Sequence, residues 1–281
     1  MPISDPENRS AIFEREIARA GLTDIEAKIR SRERLSADDG LRLYATAELP
    51  ALAYLANLVR EQLHGDTTYY VRNQHINYTN VCNKLCKFCS FYVKPKDERG
   101  YVLTPQQVQE RVLEYRDAPI TEIHMVGGVN PKLPYSYYLE VLQAMKEARP
   151  AAHLKAFTMI ELAQIQRAAK KPLEEVLADL KEAGLESLPG GGAEVFSERV
   201  HETLFWTKSD SDDWLRIAAT AHRAGLPTNA TMLYGHVENT EEKVYHLARL
   251  REVQDETGAV SYTHLRAHET DSYLVCRLLL E

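Results

Sequence analysis

The spacing of apolar residues along the chain changes character near residue 70. Before that point apolar positions recur at helical spacing and predict helices over residues 12–19, 24–30 and 49–63, with another helix starting at Ser36-Ala37-Asp38-Asp39. After it, short apolar runs that predict strands alternate with helical patterns. The predicted strands cover residues 75–81, 121–129, 153–158, 186–193 and 228–235. The predicted helices cover residues 104–117, 135–149, 211–224 and 239–256, and two helical pieces separated at Lys171-Pro172 follow a capping-box pattern, Thr158-Met159-Ile160-Glu161.

This alternation of strands and helices predicts an α/β fold with a parallel sheet and right-handed crossovers. Five such units in sequence predict a TIM-type barrel, complete or partial. We expect a helical segment over residues 1–70 and a barrel over residues 71–259, partial after about five βα units. In such barrels the chemistry lies at the carboxyl ends of the strands. The residues at the predicted strand ends are a cysteine-rich loop, Gly127-Gly128, Thr158, Gly190-Gly191-Gly192 and Tyr234-Gly235-His236.

Composition and charge indicate a globular protein and argue against a nucleic-acid or membrane partner. The chain has 281 residues, 44% of them hydrophobic and 27% charged, which is typical of a globular protein with a sizeable core. A net charge of −7 argues against a nucleic-acid partner, since binding to phosphates requires a concentrated basic surface. No stretch approaches the length of a membrane span, and the N-terminus lacks a signal-peptide pattern. We expect a cytoplasmic enzyme or metalloprotein with no membrane partner.

The most specific chemical signal is a cysteine triplet after the first predicted strand. Cys82, Cys86 and Cys89 follow the spacing Cys-x₃-Cys-x₂-Cys, and the chain has one other cysteine, Cys276. Three thiolates on one loop can hold three corners of a [4Fe–4S] cluster and leave the fourth iron open to a small molecule. Two alternatives are a Cys₃His zinc site that uses His75, and free cysteines in a core. Structural zinc usually takes two well-separated ligand pairs, so the spacing favours the open cluster.

The triplet, with Phe88 directly before its third cysteine, resembles the radical S-adenosylmethionine (SAM) superfamily. This resemblance implies a [4Fe–4S] cluster and SAM as cofactors, with Cys82, Cys86 and Cys89 as the ligands of the cluster. It also implies that Phe88, Gly127 and Gly128 contact the cofactors. The acidic residue that usually follows the glycine pair is replaced by Val129. The run from Gly190 to Glu194 is either a tight turn or a second contact for SAM or the substrate, made through Gly191 and Glu194.

Longer stretches resemble one branch of this superfamily. Arg72 to Asn77 and Phe91-Tyr92 match the enzymes that make menaquinone precursors and deazaflavin. The stretches that resemble the aminofutalosine synthase family are His124 to Pro134, His153 to Thr158 and Ser187 to Phe196. The resemblance implies that the 5′-deoxyadenosyl radical from SAM adds to 3-[(1-carboxyvinyl)oxy]benzoate to form 6-amino-6-deoxyfutalosine in menaquinone biosynthesis. It also implies a flavodoxin or ferredoxin as the electron donor.

Such a substrate carries two carboxylates and an aromatic ring, so its pocket needs cationic or amide donors and apolar walls. The candidates at strand ends are Asn73, His75, Lys155, Thr158 and His236. Each has a structural alternative: His75 as a hydrogen-bonded strand histidine, for example, and Lys155 as a strand lysine between barrel and helices. No residue is assigned a catalytic role.

Two other functions stay open. One is a sister enzyme, a cyclase acting on dehypoxanthine futalosine, which shares the glycine-rich stretch and abstracts hydrogen. The other belongs to a different class, a non-catalytic module that binds zinc or a cluster. Residues 260–281 can be back-translated into a sequencing adapter, so we expect a non-native tail from about residue 260, which leaves Cys276 without a role.

Overall fold

The computed structural model describes residues 6–258, and the adapter-like tail lies outside them. The described chain divides into two compact units, one of residues 6–69 and 232–251 and the other of residues 70–231 and 252–258. The predicted barrel segment therefore includes residues 232–251, which cluster with the N-terminal helices. The predicted domain boundaries at residues 70 and 259 stay a prediction. No described helix is both long enough and apolar enough to cross a membrane.

Four helices begin the described part of the chain, as the sequence predicted. They are α1 (Pro6–Arg19), α2 (Thr23–Arg30), α3 (Ala37–Ala45) and α4 (Leu49–His64). The α3 helix begins at the predicted site with a capping box, in which the Ser36 hydroxyl accepts from the Asp39 backbone and the Asp39 carboxylate accepts from the Ser36 backbone. Lys28 donates to the same carboxylate at 2.8 Å. Asp39 is therefore a buried acid whose hydrogen bonds link α2 to the start of α3.

We expect Asp39→Asn to destabilise the chain by about 1–3 kcal/mol, because a buried charge-assisted network is broken. Burial alone would raise the pKa of Asp39, but its bonds to Lys28 and Ser36 together lower it. A carboxylate with a lowered pKa in the folded state adds stability above its unfolded pKa of about 3.9, and this stability is lost as the pH falls through the folded pKa. Urea unfolding should therefore show a wild-type advantage at pH 7 that shrinks below about pH 4. The exposed neighbour Asp38 gives the control: Asp38→Asn should change stability by less than about 0.5 kcal/mol.

The second unit contains a parallel sheet whose strands follow the predicted order. β1 (Asn73–Asn77), β2 (Glu122–Val126) and β3 (His153–Ala156) pair in the order β1-β2-β3. Apolar side chains such as Ile123, Met125 and Leu154 are buried completely. On β1, Gln74 lies on this same covered face and donates to the backbone of Arg111 at 2.6 Å. The alternate residues of each strand face the other way, toward the candidate site.

The remaining helices lie between and after the strands. They are α5 (Pro105–Leu113), α6 (Tyr135–Ala148), α7 (Met159–Ala169), α8 (Leu173–Glu182), α9 (Glu198–Leu204), α10 (Ser211–Arg223) and α11 (Thr240–Thr257). The capping box at Thr158 and the break at Lys171-Pro172 are present as predicted. The short helix α9 was not predicted.

The fourth and fifth predicted strands are reduced to single parallel bridges. Ser187 bridges to Lys155, and Leu188 bridges to Thr228, so the order of the sheet continues without full ladders. The expected strands over residues 186–193 and 228–235 were too long. Gly190 approaches the backbone so closely that an added Cβ would lie 2.0 Å from the Asn229 oxygen, and the chain then turns at Gly192, where φ is +91°. The α/β prediction of a partial TIM-type barrel is confirmed, with shorter strands at its far side.

Candidate functional site

The three cysteines lie on the loop that follows β1. Cys82 and Cys86 are buried, and Cys89 is partly exposed. The Cys82 sulfur accepts hydrogen bonds from the backbone of Lys84 and Val129, each at 3.3 Å. Burial raises the pKa of the Cys82 thiol, and it raises the pKa of Cys86 to about 11. Both thiols are thus buried, and a metal that binds them would have to displace their protons.

The three thiols on one loop match in number the protein ligands of a cluster with one open iron. Within residues 6–258 no three His, Cys, Asp or Glu side chains converge on one point as a single metal ion requires. The ligands of a [4Fe–4S] cluster bind different irons rather than one shared ion. His75, the alternative fourth zinc ligand, bonds instead to Asn77 at 2.9 Å and lies edge-on to His124. Three sulfurs on one loop fit a cluster with one open iron.

The glycine pair after β2 packs directly against the cysteine loop. The Gly128 backbone donates to Thr79 at 2.8 Å. A Cβ at Gly128 would lie 2.3 Å from the Val81 oxygen, and a Cβ at Gly127 would lie 2.7 Å from the Tyr78 ring. A larger residue at Gly128 would therefore displace backbone, and one at Gly127 would displace the Tyr78 ring. The structure therefore brings Gly127 and Gly128 next to the cysteine loop.

A buried ion pair lies beside the cysteines. One of its partners, Lys208, was not predicted from the sequence. Lys208 pairs with Glu194, and their side chains are only 10% and 12% exposed. The Lys208 ammonium lies 5.5 Å from the centre of the Phe88 ring and 5.4 Å from that of Phe205. Burial alone would lower the pKa of Lys208, but Glu194 and the sulfurs of Cys86 and Cys82 raise it. The site therefore holds a fixed positive charge close to the thiols.

The Glu194 backbone is in the left-handed region, with φ at +50°. A residue with a Cβ rarely adopts this conformation, and such residues concentrate at functional sites. Glu194 follows the glycine run of residues 190–192. The strained backbone and the buried partner together hold its carboxylate in one position.

The segment from Leu204 to Lys208 is hydrogen-bonded to the cysteine loop at three points. The Lys87 backbone donates to Leu204 at 2.9 Å, the Leu85 backbone donates to the Thr207 hydroxyl at 2.8 Å, and the Lys84 ammonium donates to the Thr207 carbonyl at 2.8 Å. Burial lowers the pKa of Lys84, so this lysine is more than a solvated loop residue. This contact was not predicted, because α9 was not predicted and the bonded residues lie 122 and 123 positions apart in the sequence.

The sheet presents a polar face opposite the one that Gln74 shares with α5. Asn73 and His75 lie on this face by strand alternation, beside Glu122 and His124 of β2. The Lys155 ammonium, from β3, pairs with Glu122 at 2.8 Å, and its side chain is 15% exposed. Lys155 therefore points onto the polar face rather than toward the helices.

Thr158 and Gly191 come together at the edge of this face. An added Cβ at Gly191 would lie 2.9 Å from the Thr158 methyl carbon. The Gly191 carbonyl accepts from the Trp214 indole at 3.3 Å. His236 belongs to the unit of residues 6–69 and 232–251, where its imidazole bonds to the Leu233 carbonyl at 2.8 Å. That His236 lies near the other candidate substrate contacts stays a prediction.

Comparison with known proteins finds a matching family model and several relatives. A family model described as the radical SAM superfamily matches residues 76–250. The chain is 46% identical over 237 residues to the aminodeoxyfutalosine synthase of Thermus thermophilus, covering 84% of this chain and 64% of that protein. It is 41% identical over 240 residues to the enzyme of the same name from Streptomyces coelicolor, covering 85% of this chain and 62% of the relative. The chain thus spans less than two thirds of the length of both relatives.

One solved structure illustrates the fold. The hydrogenase maturase HydG from Carboxydothermus hydrogenoformans superposes with a TM-score of 0.69 at 16% identity, covering 96% of this chain and 68% of that one. At so low an identity the likeness concerns the fold alone.

Proposed function

The chain belongs to the radical SAM superfamily, and from this premise we propose that it is an aminodeoxyfutalosine synthase. The observation that carries the proposal is the high identity to two synthases over most of the chain. The proposed reaction transfers the 5′-deoxyadenosyl group of SAM to 3-[(1-carboxyvinyl)oxy]benzoate with release of methionine, and 6-amino-6-deoxyfutalosine forms as the carboxyl group leaves as carbon dioxide. This product is a menaquinone precursor.

The superfamily's cofactors are a [4Fe–4S] cluster and SAM, which together supply a reactive adenosyl radical when the cluster is reduced. We propose that Cys82, Cys86 and Cys89 hold the cluster. The main chain of Gly127-Gly128 would receive the methionine part of SAM. Two supports for this assignment are the absence of room for any Cβ at the glycine pair and the hydrogen bond from Val129 to the Cys82 sulfur.

Phe88, Gly191 and Glu194 are proposed as further contacts of the cofactor. The Phe88 ring lies near the Lys208 ammonium, and Glu194 is the carboxylate that pairs with it. Fixed polar groups in a dry site orient a ligand without reorganising during the reaction. Gly191 leaves space beside Thr158 that a side chain would fill.

The polar face of the sheet is the proposed place of the substrate. Lys155 carries an ammonium on this face, where it can attract one carboxylate of the substrate while Glu122 limits its movement. His75, Asn73 and Thr158 add donors around it. His236 stays a candidate by its predicted position at a strand end.

We also propose the electron donor, the class of substrate and the cellular location of the enzyme. A flavodoxin or ferredoxin would reduce the cluster, and the substrate would be a small molecule rather than a nucleic acid, in line with the net charge of −7. A cytoplasmic location would supply both the reductant and a reducing environment for free thiols.

Product analysis tests the proposal. Anaerobic protein with reconstituted cluster, SAM and the enol-ether substrate should give a product that contains the adenosine carbons of labelled SAM. Free 5′-deoxyadenosine without such a product would favour the cyclase, which abstracts hydrogen, over the synthase. Colourless protein with one zinc per chain would favour the non-catalytic module. The comparisons favour neither of these alternatives.

A further inference from the structure

The carboxylate of Glu161 is buried, with 3% exposure, and accepts four hydrogen bonds. One oxygen accepts from the Tyr78 hydroxyl at 2.8 Å and from the Gly127 backbone at 3.0 Å. The other accepts from the backbone and the hydroxyl of Thr158, both at 2.8 Å. All four partners donate, so the carboxylate acts only as an acceptor. A capping box requires the Glu161 carboxylate to accept only from the backbone of Thr158, so the other three hydrogen bonds are additional.

The donors come from the carboxyl ends of three neighbouring strands. Tyr78 directly follows β1, Gly127 directly follows β2, and Thr158 is the second residue after β3. The strands pair in the order β1-β2-β3, so a single carboxylate ties together three strand ends on the edge where parallel barrels carry their sites.

The backbone next to this carboxylate is strained. Phe157 lies between β3 and Thr158, is completely buried and has a φ of +63°. An aromatic residue rarely takes this conformation, and it persists only where the surroundings hold it in place. The two bonds from Thr158 to Glu161 fix the residue that follows Phe157. The backbone at the end of β3 is therefore held in one particular conformation, although this conformation is strained.

From Glu161 the contacts continue to the cysteine loop. The carboxylate accepts from the backbone of Gly127, and at the next residue, Gly128, an added Cβ would lie 2.3 Å from the Val81 oxygen. The next residue, Val129, donates to the Cys82 sulfur at 3.3 Å. A displacement of Gly127 would therefore move the glycine pair relative to Cys82.

We infer that Glu161 is a positioning residue, whose carboxylate orients the Gly127-Gly128 main chain for the methionine part of SAM. A buried carboxylate is costly to keep unless its hydrogen bonds are all made. Here one of those hydrogen bonds fixes the backbone of Gly127. In this chain Val129 replaces the acidic residue that usually follows the glycine pair. The inference rests on the superfamily's use of SAM and on the proposed role of the glycine pair, but it does not depend on which product the enzyme makes.

Glu161→Gln tests the inference, because an amide nitrogen cannot accept and at least one carboxylate oxygen loses its two bonds. SAM binding is measured per iron-loaded chain from the change that SAM causes in the electron paramagnetic resonance of the reduced cluster. We expect affinity at least tenfold weaker than wild type. In the unloaded chain, hydrogen exchange at Gly127 should become faster, a readout that needs no cofactor.

Glu186→Gln is the matched control. Glu186 also accepts from a backbone, that of Leu154 at 2.8 Å, and pairs with Lys146 at 2.8 Å, but it lies near the start of β3. This variant should lose stability yet bind SAM within twofold of wild type. Glu161→Gln that binds SAM as tightly as Glu186→Gln would overturn the inference.

A milder variant decides the question if Glu161→Gln does not fold. Tyr78→Phe removes only the hydroxyl that donates to Glu161. We expect it to weaken SAM binding about threefold, and unchanged binding would contradict the positioning role. Product formation is assayed separately, so a wrong product would count against the proposed synthase and leave this test intact.

Discussion

Replacing Cys86 by alanine is expected to abolish product formation and to lower the iron content from about four per chain to less than about one. Each cysteine of the triplet would hold a different iron, and a cluster that loses one of three protein ligands has two open irons and falls apart. Cys86 is buried on the loop after β1, where no other described cysteine except Cys82 and Cys89 is available to replace it. Iron analysis and the visible absorption of anaerobically reconstituted protein measure the effect.

Cys276→Ala is the control for this experiment, because it changes the one cysteine outside the triplet. It should retain the iron content of the wild type. Equal iron loss in Cys86→Ala and Cys276→Ala would count against the triplet as the cluster site.

Replacing Lys208 by methionine is expected to destabilise the chain by about 3–5 kcal/mol, since it leaves the Glu194 carboxylate buried without a counter-charge. Methionine matches the length of the lysine stem, so the packing against Phe88 and Phe205 is largely kept. The double variant Lys208→Met with Glu194→Gln removes both charges and should recover much of the loss. Urea unfolding of the full chain measures both changes.

An exposed ion pair supplies the comparison. Arg223 pairs with Glu256, and both side chains are 57% exposed. Arg223→Met should cost at most about 1 kcal/mol, since solvent screens a surface pair. A Lys208→Met loss no larger than that of Arg223→Met would show that Glu194 does not depend on its partner for stability.

The local elements of this chain were predictable because their signals are local. Helix starts at Ser36 and Thr158 follow from capping boxes, which need only four consecutive residues. The strand order followed from the alternation of strands and helices, which requires parallel pairing. The cysteine triplet is also local, since three ligands within eight residues need no knowledge of the fold.

The rest of the site depends on contacts between distant residues. The hydroxyl of Tyr78 meets Glu161 across 83 positions, and the Thr207 carbonyl meets Lys84 across 123. No periodicity encodes such pairs, because they depend on how strand ends and loops converge in three dimensions. The role of Lys208 was not predicted for the same reason. In the sequence Lys208 is a single charged residue after a helix that was not predicted, and it becomes buried against Glu194 only in the folded chain. The expected strands near Gly190 were too long because close backbone approach, rather than apolar pattern, ends them.

The most direct test of this account is the response of the reduced cluster to SAM. Anaerobically reconstituted protein should carry about four irons per chain. SAM should change its electron paramagnetic resonance spectrum, because the methionine part of SAM would bind the open iron. The same measurement on Cys86→Ala should show neither iron nor response. A protein that binds about four irons but whose spectrum is identical with and without SAM would contradict the central claim that Cys82, Cys86 and Cys89 leave one iron open for this cofactor.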